Sequence, residues 1–246
     1  MNVFENNLNI VYIKIKIFLV CLLPFSLIFS IFVADLIVVI LFFSFLISCF
    51  KNFNFEYFNN IYFKFFFVYW IYITLLSFFS ENFLESFRSS FTYIRFIILP
   101  LIIMYLIKND KRFLFFFLYS LIAAFIILIL DSLYEFILGK NIFGYGNLEK
   151  GRLVSFFKDE YILGSYISKL FFLIASLWFL LFNNNYKRNL FFVIFYTLSF
   201  LVIFLSGDRM PFLLFLLGSS IFLILSEFKF RFKLVIIFLS TLIIFF

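Results

Sequence analysis

The chain has 246 residues, 66% of them hydrophobic and only 13% charged, with a formal net charge of +7 and a mean hydropathy of +1.17. Soluble domains are roughly half apolar and about a quarter charged, and a chain of this length cannot hide so much apolar surface from water, so lipid is its solvent. It has two Cys and no His, which excludes Ser-His-Asp catalysis and any zinc site built on imidazole.

A helix crosses a bilayer in about 20 apolar residues. On that measure the sequence predicts spans over 17–34, 36–50, 61–80, 91–107, 113–130, 161–182, 190–206 and 211–226, with a shorter last run over 234–246. Polar punctuation separates them at Asp35 and over 51–60, 81–90, 108–112, 183–189 and 227–233. The first run has no convincing small-residue cleavage site and reads as a retained anchor. The longest loop is expected over 131–160. No repeat or low-complexity linker divides the chain, so the expected fold is one all-α domain, 1–246, a polytopic membrane helix bundle of about eight or nine transmembrane helices. Cys21 and Cys49 lie inside apolar runs without a CxxC partner and read as small apolar residues. The 49 Phe accompany abundant Ile, Asn, Lys and Tyr, whose codons are all AT-rich, and read as coding bias rather than as an aromatic binding site.

Basic residues set the orientation. With the N-terminus in the cytoplasm, Lys14, Lys16, Lys51, Lys108, Lys111, Arg112, Lys187, Arg188, Lys229, Arg231 and Lys233 fall inside. Only Arg88, Lys140, Lys150, Arg152, Lys158 and Arg209 fall outside, while Lys64, Arg95 and Lys169 lie within helices. The positive charge is thus a topology signal spread over separate loops. It does not suggest nucleic-acid binding.

Two stretches on the outer side carry the chemistry. In "LSGDRMPFLLF", Leu205 to Phe215, Gly207 permits a close backbone approach and Pro211 suits the first turn of the next helix. Arg209 is thereby held near a helix N-terminus, where anions are favoured, and a guanidinium grips phosphate with two parallel hydrogen bonds. In "GRLVSFFKDEYILGSYISKL", Gly151 to Leu170, a helix would place Glu160, Gly164 and Ser168 on one face, with Tyr161, Ser165 and Lys169 alongside. Gly and Ser there suit close helix packing; Glu160 and Lys169 do not follow from packing. Arg95, at the outer end of the fourth span, either reaches to the interface or joins the outer cations.

"SFFKDEYILGSYISKL" followed some forty residues later by "FLSGDRMPFLLF" resembles the O-antigen ligase and O-antigen polymerase superfamily, polytopic inner-membrane proteins of Gram-negative bacteria. The resemblance covers about Gly151 to Phe215 by motif and the remainder by helix pattern. It implies transfer of a glycan from a polyprenyl-diphosphate carrier, on the periplasmic face, to lipid A core (a ligase) or to another lipid-linked glycan (a polymerase). The positions of the family's diphosphate-holding arginines match Arg152 and Arg209. Members continue with a large outer loop, often carrying a His, and further helices, so the chain is expected to be C-terminally truncated.

The physical reading runs alongside. Arg152 and Arg209, with Arg95 as a third cation, would bind the diphosphate and neutralise the charge that develops on it as it leaves. Such chemistry needs no metal or other cofactor. Glu160 or Asp159 is the candidate general base for the acceptor hydroxyl. Two alternatives remain at this stage: a transporter or flippase using Lys64, Arg95 and Lys169 as pathway charges, and a non-catalytic membrane protein.

Overall fold

Every backbone N–H and C=O in lipid must find a partner within the chain, and an α-helix is the local way to do so. The structure, a computed structural model, describes residues 3–52, 56–145, 152–157, 160–182, 186–225 and 230–245. Among the described residues ten α-helices follow one another: α1 Val3–Phe29, α2 Ile31–Asn52, α3 Ile61–Leu76, α4 Phe83–Thr92, α5 Ile94–Asn109, α6 Phe113–Leu138, α7 Leu163–Leu181, α8 Tyr186–Leu205, α9 Arg209–Leu225 and α10 Phe230–Phe245. No strand occurs among the described residues. Among the described residues seven segments are long and apolar enough to cross a membrane, and two further apolar helices, Arg209–Leu225 and Phe232–Ile243, are shorter. The chain is an all-α, polytopic membrane helix bundle.

Several helix boundaries depart from the hydropathy reading. The first break falls at Ser30, and Asp35 lies inside α2. Its carboxylate takes a 2.8 Å ion pair from Arg95 in the first turn of α5, so the helix need not end there. Lys14 and Lys16 lie within α1 rather than before it. Lys16 is buried; its Nζ donates to Ser48 Oγ at 2.6 Å and sits 5.0 Å from the centre of the Tyr105 ring. The expected loop over 81–90 contains α4, whose Phe83, Phe87 and Phe91 recur at every fourth residue and so share one face. Beyond Leu130, α6 continues to Leu138, and the expected loop over 131–160 therefore starts later.

Packing groups the chain into two compact units, Met1–Phe117 and Leu118–Phe246, with the boundary inside α6. In the first unit, α2 packs against both α1 and α5, and α3 packs against α4 and α5. Its core joins Val20, Leu41, Phe45, Ile102 and Leu106, all essentially inaccessible. The Phe45 ring meets Tyr57, Phe58 and Tyr105 at centroid distances of 6.1, 6.0 and 5.9 Å. Trp70 of α3 donates its indole N–H to the Ser90 carbonyl at 3.0 Å, which fastens α4 to α3.

In the second unit, α7 packs on α8 and α9, and α10 packs on α8. Phe171 of α7 is fully buried and meets Phe192, Phe195, Tyr196 and Phe215 at 5.0–6.0 Å. Phe125 of α6 lies 3.9 Å from Phe195, ring centre to ring centre. Aromatic edges and faces fill this core, so the Phe-rich composition is used in packing.

Burial decides which Phe matters. Phe45→Ala should cost about 3–5 kcal/mol by opening a cavity. Phe43→Ala on the same helix, at a residue 58% exposed, should cost under about 1 kcal/mol. Unfolding of the detergent-solubilised protein measures both, and equal losses would contradict this assignment of the core.

Candidate functional site

The site is built from three pieces of the second unit: the end of α6, the segment before α7, and the turn between α8 and α9. The last turns of α6 carry Asp131 and Glu135, spaced by four and so on one face. Both are buried, at 0% and 1% exposure. A buried carboxylate is costly unless donors surround it, and here the following loop supplies them. Glu135 accepts the Val154 N–H at 3.1 Å and the Ser155 N–H at 2.6 Å. Asp131 accepts the Ser155 hydroxyl at 2.6 Å and the Ile142 N–H at 3.1 Å. Asn141 completes the arrangement, donating to the Ser155 carbonyl at 2.6 Å and accepting the Tyr145 N–H at 2.6 Å. Ser155 is held at φ 51°, in the left-handed region that side-chain-bearing residues rarely occupy.

This fastened loop presents Arg152. Its side chain is exposed, and its guanidinium lies 5.2 Å from the centre of the Tyr161 ring, within cation–π range. Arg152 also acts electrostatically on Asp208 in the α8–α9 turn. That turn is made by Gly207 at φ 72°, a conformation that glycine adopts without steric penalty. Asp208 accepts the Phe212 N–H through its carbonyl at 3.1 Å, which opens α9, and Arg209 is the first residue of that helix. Pro211 falls in the first turn, where its missing N–H costs nothing.

Gly164 joins α7 to the turn. A Cβ placed there would lie 2.7 Å from Ser206 Oγ and 3.2 Å from Asp208 Oδ2. Only glycine allows this approach, and it brings the start of α7 onto the turn that bears Asp208 and Arg209. A groove of about 180 Å³ beside the turn is lined by Ile203, Phe204, Gly207, Asp208, Arg209 and Phe212. It falls below the roughly 300 Å³ of a typical small-molecule pocket. Burial raises the Asp208 carboxyl above the usual carboxylate range, against the opposing pulls of Arg152 and the Gly164 N–H.

The sequence candidates are distributed as follows. Arg152 and Arg209 are both exposed; Arg209 follows Asp208 directly in the chain, and the Arg152 charge acts on the same Asp208. Arg95 belongs to the first unit, where it holds Asp35 and lies 4.8 Å from the Phe96 ring. Glu160 does not share a helix face with Gly164 and Ser168, because α7 begins only at Leu163. It is exposed in the preceding turn, where its N–H donates to the Phe157 carbonyl at 3.0 Å. Asp159 lies outside the described residues. Gly164 and Ser168 are buried as the packing reading expects, and Lys169 is exposed on the next position of α7.

Sequence reasoning missed Asp131, Glu135, Asn141 and Ser155, which build the loop's anchor. The available signal was the four-residue spacing of Asp131 and Glu135 directly after an apolar helix. No known protein family, characterised protein or solved structure matches the chain.

Two outcomes test the geometry. Gly164→Ala should destabilise by about 1–3 kcal/mol, as overpacking does, and Ser206→Ala, by removing the hydroxyl it strikes, should restore most of that loss. Thermal unfolding of the two single variants and the double variant checks it; a double variant as unstable as the sum would place the clash elsewhere. For Asp208, a raised native pKa means that the folded chain holds the proton more tightly than the unfolded chain. Its contribution is then fullest in acid and declines as pH rises through the native value. The unfolding midpoint of the wild type relative to Asp208→Asn should therefore fall from acid to neutral pH; a rise would reverse the sign.

Proposed function

We propose that the chain transfers a glycan from a polyprenyl-diphosphate carrier to an acceptor sugar, in the manner of the O-antigen ligases it resembles, on the periplasmic face of a bacterial inner membrane. One observation supports the reading above others: the Arg152 charge acts on Asp208 of the Gly-Asp-Arg turn, more than fifty residues away in sequence, and Gly164 lets α7 approach the same turn. An exposed pair of guanidinium groups at the end of a helical membrane unit suits a lipid-borne diphosphate, whose anionic part lies at head-group level and whose chain lies in lipid.

In the proposed step, the bond between the sugar's anomeric carbon and the diphosphate oxygen breaks while the acceptor hydroxyl oxygen bonds to that carbon. Arg152 and Arg209 stabilise the negative charge gathering on the leaving diphosphate, an electrostatic contribution that is often the largest in catalysis. The acceptor's proton goes to the Glu160 carboxylate, exposed beside the Tyr161 ring on which Arg152 rests. Arg95 keeps its ion pair with Asp35 and takes no step. Lipid A core is the proposed acceptor.

Deletion of the gene, followed by a lipopolysaccharide gel and an assay of lipid-linked glycan, separates the outcomes. Loss of the long-chain ladder with polymer accumulating on the carrier supports the ligase; loss of the ladder with a single repeat left on core points instead to a polymerase. In the complemented strain, Arg209→Ala and Arg152→Ala should each lower transfer by about a hundredfold or more, the cost of losing one such stabilising group, at unchanged membrane abundance. Normal transfer by Arg209→Ala would refute the diphosphate role.

A further inference from the structure

We infer that Glu135 and Asp131 are positioning residues for Arg152: through Ser155 they fix the loop that presents its guanidinium to an anionic ligand. The inference rests on the reading of Arg152 as a diphosphate ligand and adds to it the residues that make the arginine an ordered one.

The two carboxylates are placed unusually for residues of a membrane helix. Both are buried, and no Lys or Arg forms an ion pair with either among the described residues. Among the described residues their donors come from the loop: the backbone N–H groups of Ile142, Val154 and Ser155, and the Ser155 hydroxyl. Donors gathered on a carboxylate make hydrogen bonds roughly twice as strong as those between neutral groups. Both carboxylates bond to Ser155, whose backbone stands at φ 51°. A non-glycine residue in that region costs on the order of 1–3 kcal/mol and persists only where its surroundings over-determine it. The strain and the buried charges thus meet at one point of the chain.

That point lies three residues from Arg152. Three residue steps span at most about 11 Å of extended chain, so an anchor at Val154 and Ser155 restricts where Arg152 can be. On its far side Arg152 is limited by the Tyr161 ring, whose centre lies 5.2 Å from its guanidinium. An arginine loses considerable side-chain freedom when it grips a ligand, and a loop already ordered lowers the remaining cost of binding. Glu135 and Asp131 touch neither the proposed ligand nor the reacting atoms; they act through Arg152.

The test is binding of inorganic pyrophosphate to the full chain, purified in detergent, as wild type, Glu135→Gln, Arg152→Ala and the double variant. Glu135→Gln should weaken binding about fivefold to tenfold, the equivalent of one net hydrogen bond. The same change in the Arg152→Ala background should have no further effect. A role confined to stability would not produce that dependence on Arg152. Ser155→Gly is the second variant. It relieves the left-handed strain, so the unfolding midpoint should hold or rise, yet it frees the loop and removes the hydroxyl bond to Asp131, so pyrophosphate affinity should fall. If Arg152→Ala itself binds as wild type does, the diphosphate reading fails and the inference with it. If Arg152→Ala binds weakly while Glu135→Gln and Ser155→Gly bind normally, or if the losses simply add, the positioning role alone is overturned.

Discussion

A carboxylate taken out of water must be surrounded by donors, and at the end of α6 those donors come from the next loop. Asp131 and Glu135 together take hydrogen bonds from Ile142, Val154 and Ser155. The segment bearing Arg152 is tied to α6 in consequence. Gly164 does the corresponding work from the other side, letting α7 approach the turn that carries Asp208 and Arg209. Remove the anchor or the close approach, and the two arginines are attached to the fold only by their own backbones.

The membrane class and most helices were legible because apolar runs alone determine them. Their ends were less so. Hydropathy treats a charged residue as the end of a span, but the helix stops only when its backbone does. Asp35 is paired by Arg95, sixty residues away, and Asp131 and Glu135 are satisfied by a loop up to 24 residues away. Neither partnership is visible in a local window. α4 is hidden differently: its Phe83, Phe87 and Phe91 repeat is present, but a ten-residue segment with three Ser, a Glu and an Arg reads as a loop.

The candidate site was legible in part. Gly207 and Pro211 announced a turn followed by a helix, and both play those parts. Arg209 adjoins Asp208 along the chain, whereas the reach of the Arg152 charge to Asp208 depends on tertiary packing. The stripe through Glu160 was misjudged because a helical projection assumes that the helix has begun. Ile162 precedes α7, and Glu160 sits in a turn whose backbone bonds run to Phe157 and from Ile162. The small residues of the stripe were correctly read as packing, and for Gly164 the partners are Ser206 and Asp208.

The length of α6 has a consequence of its own. Its 26 residues extend about 39 Å at 1.5 Å per residue, against roughly 30 Å of hydrocarbon in a typical bilayer. The surplus must be absorbed by tilt or by protrusion of an end. Asp131 and Glu135 occupy the last two turns, the part of the helix least tolerant of immersion. Hydrophobic mismatch therefore acts on the same turns that hold the arginine loop, and the thickness of the surrounding bilayer becomes a mechanical input to the site.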